Sequence, residues 1–74
     1  MTKERKYSFN RGMRQVRIKD KFKVREEIME ALGITTIATF NNRLYGKVEP
    51  RASEAEAIEA VFAKYSITEV WGEK

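Results

Sequence analysis

The chain of 74 residues has neither cysteine nor histidine. The first absence excludes disulfides, thiolate metal sites and a thiol nucleophile. The second removes the commonest general base and metal ligand. The carboxylates and lysines that remain sit in charged helical surroundings with no apolar pocket to shift their pKa values. The composition therefore argues against an enzyme and calls for no cofactor and no small-molecule substrate. No apolar run approaches the ~18 residues that a membrane span needs, and the N-terminal lysines are not followed by the apolar stretch of a signal peptide. A cytoplasmic protein with no membrane partner is expected. No linker, repeat or low-complexity segment divides the chain, so it reads as one small body able to fold if nearly every apolar residue joins one core.

Charge is abundant and unevenly spread. The net charge is +4, but residues 1–25 carry ten basic side chains against Glu4 and Asp20, a net of +8. Residues 26–74 carry five basic and nine acidic side chains, a net of −4. A concentrated basic segment beside a mildly acidic body fits a polyanion on one side only. Residues 1–19 are expected to form a loose, flexible basic arm, with Tyr7 and Phe9 as points that pin it to the body. Between Arg11 and Lys19 the spacing fits either an extended arm or a single helical turn.

Residues 20–74 read as a small all-α domain of three to five helices. Asp20 is the expected N-cap of a helix from about Lys21 to Leu32, with Val24, Ile28 and Leu32 buried at four-residue spacing. Lys21, Lys23 and Arg25 then crowd its first turn, against the helix dipole, where they are placed to meet phosphates. Gly33 ends that helix, because glycine takes the left-handed conformation at little steric cost, and Ile34 plugs the corner. Thr35 or Thr36 caps a second helix that ends near Tyr45-Gly46 and buries Ile37, Phe40 and Leu44. Pro50 closes the next connection. Ser53 and Glu56 have capping-box spacing for a third helix that runs to about Tyr65 and buries Ile58, Val61, Phe62 and Tyr65. Ile67, Val70 and Trp71 fold back over the core.

The chemistry is carried by the stretch from Ile34 to Val48. Its fifteen residues include no carboxylate, in a chain that is 35% charged. It supplies Thr35, Thr36, Thr39, Asn41, Asn42, Arg43 and Lys47. These side chains match the major-groove edges of base pairs: Asn bridges adenine, Arg grips guanine or a phosphate, and the Thr methyl meets that of thymine. Helix capping accounts for Thr35 or Thr36, not for Asn41 and Asn42 in mid-helix. Lys21, Lys23, Arg25, Arg14 and Arg17 are the candidate phosphate contacts, which set register rather than sequence preference.

Gly33-Ile34-Thr35-Thr36, then Arg43-Leu44-Tyr45-Gly46-Lys47 and Glu49-Pro50, then AEAIEAVFAKYSITEVW resemble the helix-turn-helix proteins of the lambda-repressor/Cro-like class. The resemblance covers roughly residues 22–71 and extends to small regulators of phage type. It departs from the class pattern at Met29, where the class has a small residue, and in the spacing of Ile37, Phe40 and Leu44. What it implies is an all-helical, sequence-specific binder of double-stranded DNA, commonly a homodimer, acting in transcription regulation without a cofactor. Two other readings use the same residues. One is a protein-interaction module, antitoxin-like or an adaptor subunit, that docks through the apolar C-terminal turn. The other is a sequence-tolerant binder of RNA or single strands, with Tyr7 and Phe9 as stacking platforms on the basic arm.

Overall fold

The computed structural model describes residues 6–73. These form four helices and no strand: α1 (Asn10–Gln15), α2 (Ile18–Leu32), α3 (Ile37–Leu44) and α4 (Ala52–Ala63). The expected all-α class and helix number are what the chain adopts. The long helices α2 and α4 pack against each other, through Val24 and Ile28 on one and Ile58, Val61 and Phe62 on the other. Phe40 and Leu44 of α3 close one side of the same core, and Ile67 and Val70 of the C-terminal strap close another.

Phe9 sits at the centre, 1% exposed. Its ring meets Phe40 edge-on at 5.9 Å, Trp71 edge-on at 6.4 Å and Phe62 tilted at 6.2 Å, the geometries that ring quadrupoles favour. Residues 8–19 are therefore not an arm. Ser8 and Phe9 are buried, α1 packs on the core through Gly12 and Met13, and Ile18 already begins α2. The physical reason is hydrogen bonding as much as packing. The Ser8 hydroxyl and the Phe9 amide both donate to the Leu44 carbonyl, at 2.8 and 3.0 Å. The first amides of α1 would otherwise be orphans, and the C-terminal strap supplies their acceptors. Arg11 N–H donates to Gly72 O at 2.8 Å and Gly12 N–H to Val70 O at 3.1 Å. Gln15 Nε2 adds a 2.7 Å bond to Glu69 O, and Asn10 Nδ2 a 3.1 Å bond to Glu73 O. Of the expected arm, residues 1–5 lie outside the described residues.

Three helices end alike. In α2, α3 and α4 a residue with positive φ (Gly33 at 69°, Gly46 at 74°, Ser66 at 62°) follows the last turn. The amide after it reaches back five residues: Ile34 N to Met29 O, Lys47 N to Asn42 O and Ile67 N to Phe62 O. That is the Schellman closure, which satisfies the last free carbonyls and turns the chain sharply. The left-handed glycine at Gly33 and a helix end near Tyr45-Gly46 agree with expectation. Ser66 gives up the conformational freedom of glycine to make the same turn.

Helix starts depart further from expectation. Asp20 does not cap α2, which begins two residues earlier. Asp20 occupies the first turn and donates its N–H to Arg17 O at 2.9 Å, a place where a negative charge favours the dipole. Lys21, Lys23 and Arg25 accordingly lie beyond the first turn. Ser53 and Glu56 do not form the capping box of α4. Glu54 performs that function, accepting the Arg51 amide at 2.9 Å. The helix ends at Ala63, and Tyr65 lies half-buried in the following turn. Ile37 is 48% exposed rather than buried, because the inward side of α3 is filled by Phe40 and Leu44 alone.

Candidate nucleic-acid interface

The outer side of α3 is set by its two ends. At the start, Thr36 Oγ1 accepts the Thr39 amide at 3.3 Å and its hydroxyl donates to Thr39 Oγ1 at 2.8 Å. This pairing leaves the Thr39 hydroxyl its own proton to give outward. At the other end, Gly46 passes so close to the N-terminal segment that a Cβ there would stand 2.7 Å from Ser8 N. The helix is thus gripped from below by Ser8 and Phe9, with Phe40 and Leu44 inward. Thr35, Thr36, Thr39, Asn41, Asn42 and Lys47 are all exposed, and no carboxylate lies among them in the sequence.

Arg43 departs from its expected role. Its guanidinium is held by Glu54 of α4 in a two-pronged pair, Nη1 to Oε1 at 3.0 Å and Nη2 to Oε2 at 3.3 Å, with both side chains about four-fifths covered. Donors engaged this way are not available to a base edge. The Arg51 amide and then the Arg43 guanidinium hold the Glu54 carboxyl below its usual range. Arg43 therefore joins α3 to the start of α4.

The second expected group divides similarly. Arg14, Arg17, Lys21 and Lys23 are exposed on α1, the α1–α2 joint and the first half of α2, with Lys19 beside them. Arg25 is half-buried: its guanidinium lies over the Phe22 ring at 5.1 Å, and its Nε is buried with no hydrogen-bond partner. Phe9 cannot serve as a stacking platform, because it is the centre of the core.

Two residues in this region escaped the sequence reading. Ile18 is 89% exposed and Phe22 64% exposed. They stand one turn apart on α2, off the line of Val24 and Ile28. The signal was present: four residues beyond Phe22 stands Glu26, so the Ile18–Phe22 stripe could not continue as a core face.

A shallow, mainly apolar groove of about 430 Å³ lies elsewhere, lined by Lys6, Tyr7, Glu49, Pro50, Ala52, Ala55 and Trp71. Among the described residues no helix is long and apolar enough to cross a membrane. No protein-family model matches the chain, and neither a curated protein nor a solved structure matches it.

Proposed function

We propose that this chain is a sequence-specific binder of double-stranded DNA, a transcription regulator of phage or mobile-element type that works in the cytoplasm and needs no cofactor. The reading is supported above all by α3. An exposed, acid-free helix offers Thr39, Asn41 and Asn42, with Thr35 and Thr36 ahead of it and Lys47 behind. These groups are chemically matched to base edges in the major groove. Arg14, Arg17, Lys21 and Lys23 supply charge for the phosphate backbone. A homodimer would present two such helices to successive major grooves, about 34 Å apart.

The test is a binding titration of the full chain against genomic DNA fragments at several salt concentrations, with unrelated duplex and RNA as competitors. A subset of fragments held against duplex competitor, with affinity falling as salt rises, supports the reading. Equal displacement by RNA, or no duplex binding at low salt, overturns it. The groove of Tyr7, Pro50 and Trp71 favours a second reading, an adaptor that takes a peptide segment, and failure of the titration promotes it.

A further inference from the structure

The first half of α2 combines two features that seldom occur together. Among the described residues, Ile18 and Phe22 are the two most exposed of the large apolar side chains. Arg14, Arg17, Lys19, Lys21 and Lys23 are exposed in the same stretch, with Asp20 the only acid between Arg11 and Arg25 and Glu26 one turn beyond Phe22. Two exposed apolar side chains in a run of cations call for an occupant that is anionic outside and apolar within.

A second copy of this chain docking through this same surface does not meet that need. It would set one cluster of cations against another, and two side chains per protomer fall far short of the ~1,000 Å² that a stable interface buries. A lipid surface fits no better. An interfacial helix needs an apolar stripe continued over several turns, whereas this one meets Arg25 and Glu26 after Phe22, and Val24 and Ile28 are already committed to the core. Duplex DNA has the required order, phosphates outside and flat apolar base faces inside. Phe22 stands eleven residues before Gly33, about 16 Å of helix rise and roughly half a turn of duplex, and one bound DNA would have to reach both it and α3.

Resting on the DNA-binding reading above, we infer that the Ile18–Phe22 ridge is a wedge that enters a base step of the bound duplex and kinks it. Phe22 is the inserted plane, and the flanking cations hold the phosphates of the opened step. The Arg25 guanidinium over the ring presets its orientation. A flexible pyrimidine–purine step is the preferred point of entry, because it unstacks at least cost. Part of the sequence preference would then come from deformability at a step that α3 does not touch.

The test uses the full chain with end-labelled duplexes, both the fragments retained in the genomic titration and a mixed-sequence duplex of equal length. Bending is read by energy transfer and unstacking by 2-aminopurine placed at successive steps. The wild type should bend the retained duplex by ~20–90° and brighten 2-aminopurine at one step. Phe22→Ala and Ile18→Ala should abolish both signals and weaken binding by ~10-fold or more. Their melting curves should match the wild type, since both side chains stand in solvent, and Phe22→Trp should keep the bend. A wild-type complex that is tight but straight, or variants that bend as it does, overturns the wedge and leaves α3 as the reader. Brightening in single strands alone overturns it in favour of a stacking platform. Self-association, or capture by anionic phosphatidylserine vesicles, that disappears in Phe22→Ala assigns the ridge to those occupants instead. Absence of all duplex binding by the wild type removes the DNA-binding reading itself.

Discussion

The Tyr65 hydroxyl donates a 2.6 Å hydrogen bond to the Glu27 carboxylate, joining the turn after α4 to the middle of α2, and Lys64 Nζ reaches the other oxygen at 3.2 Å. The carboxylate that accepts this proton also holds it in place. The Tyr65 hydroxyl is pushed up to about 12, first by that hydrogen bond. The Glu27 carboxyl is held below its usual range, by Tyr65 first and Lys64 second.

Both shifts stabilise the fold at neutral pH, and the two contributions are lost at opposite ends of the pH scale. A raised tyrosine pKa stabilises the fold below about 10, the unfolded value, and that contribution is lost as pH rises towards about 12. A lowered carboxylate pKa stabilises the fold above about 4.3 and is lost as pH falls through the folded value. Tyr65 should ionise late in an absorbance titration. Glu27→Gln should bring it back towards the normal range and remove the acid-side contribution. A late tyrosine that persists in Glu27→Gln would place its cause elsewhere.

The N-terminal segment is structural. Phe9→Ala should cost ~3–5 kcal/mol, as a buried phenylalanine does, comparable with the whole stability of a small domain. Phe40→Ala and Phe62→Ala should be of similar severity. Deletion of residues 1–10 removes Ser8 and Phe9 and should unfold the chain, whereas Phe9→Leu, which keeps an apolar side chain at the centre, should be milder than Phe9→Ala. Thermal melts of the truncation and of the two Phe9 variants check these outcomes.

The two positive-φ turns at Gly46 and Ser66 should respond in opposite directions. Gly46→Ala forces a side chain into left-handed backbone and against Ser8 N, and should cost ~1–3 kcal/mol from the backbone alone with the clash in addition. Ser66→Gly should stabilise by ~0.5–1 kcal/mol, the left-handed penalty relieved less the added entropy of glycine. Chemical denaturation of the two variants gives both signs, and a destabilised Ser66→Gly would mean that the hydroxyl matters more than the backbone.

On α3, Asn42→Ala should leave the melt within ~0.5 kcal/mol of wild type, as exposed changes do. If α3 enters the major groove as proposed, Asn42→Ala should still weaken specific DNA binding by ~1–3 kcal/mol and relax preference at one or two base pairs. Arg43→Ala should do the reverse: lower the melting temperature by freeing Glu54, and leave base preference intact. Base preference lost in Arg43→Ala while its melt is unchanged would return Arg43 to the reading face.

The body from α2 to α4 was legible because periodic apolar residues and glycine corners carry their own physics. Val24, Ile28, Phe40, Leu44, Ile58 and Phe62 are core, Gly33 and Gly46 end helices, and Thr36 caps one. The first twenty residues were not, because a charge count says nothing of where amides find acceptors. Ser8 and Phe9 are buried by a carbonyl of α3, and α1 is completed by a strap some sixty residues later. Among the site residues, Thr35, Thr36, Thr39, Asn41, Asn42 and Lys47 are exposed as their types suggested. Arg43 is occupied by a glutamate that helical spacing within its own segment could not show.

The bonds between α1 and the strap also set how fast the chain can fold. Asn10 and Glu73 are 63 positions apart, so the acceptors that complete α1 are in place only once nearly the whole chain has looped back. Closing such a loop costs entropy before any contact repays it, and long-range pairing slows folding relative to helical bundles built from local contacts. α2 and α4 can pair first, but Phe9 enters the centre only when both ends arrive. A four-helix protein of this size should therefore fold more slowly than its helix content suggests, in one cooperative final step.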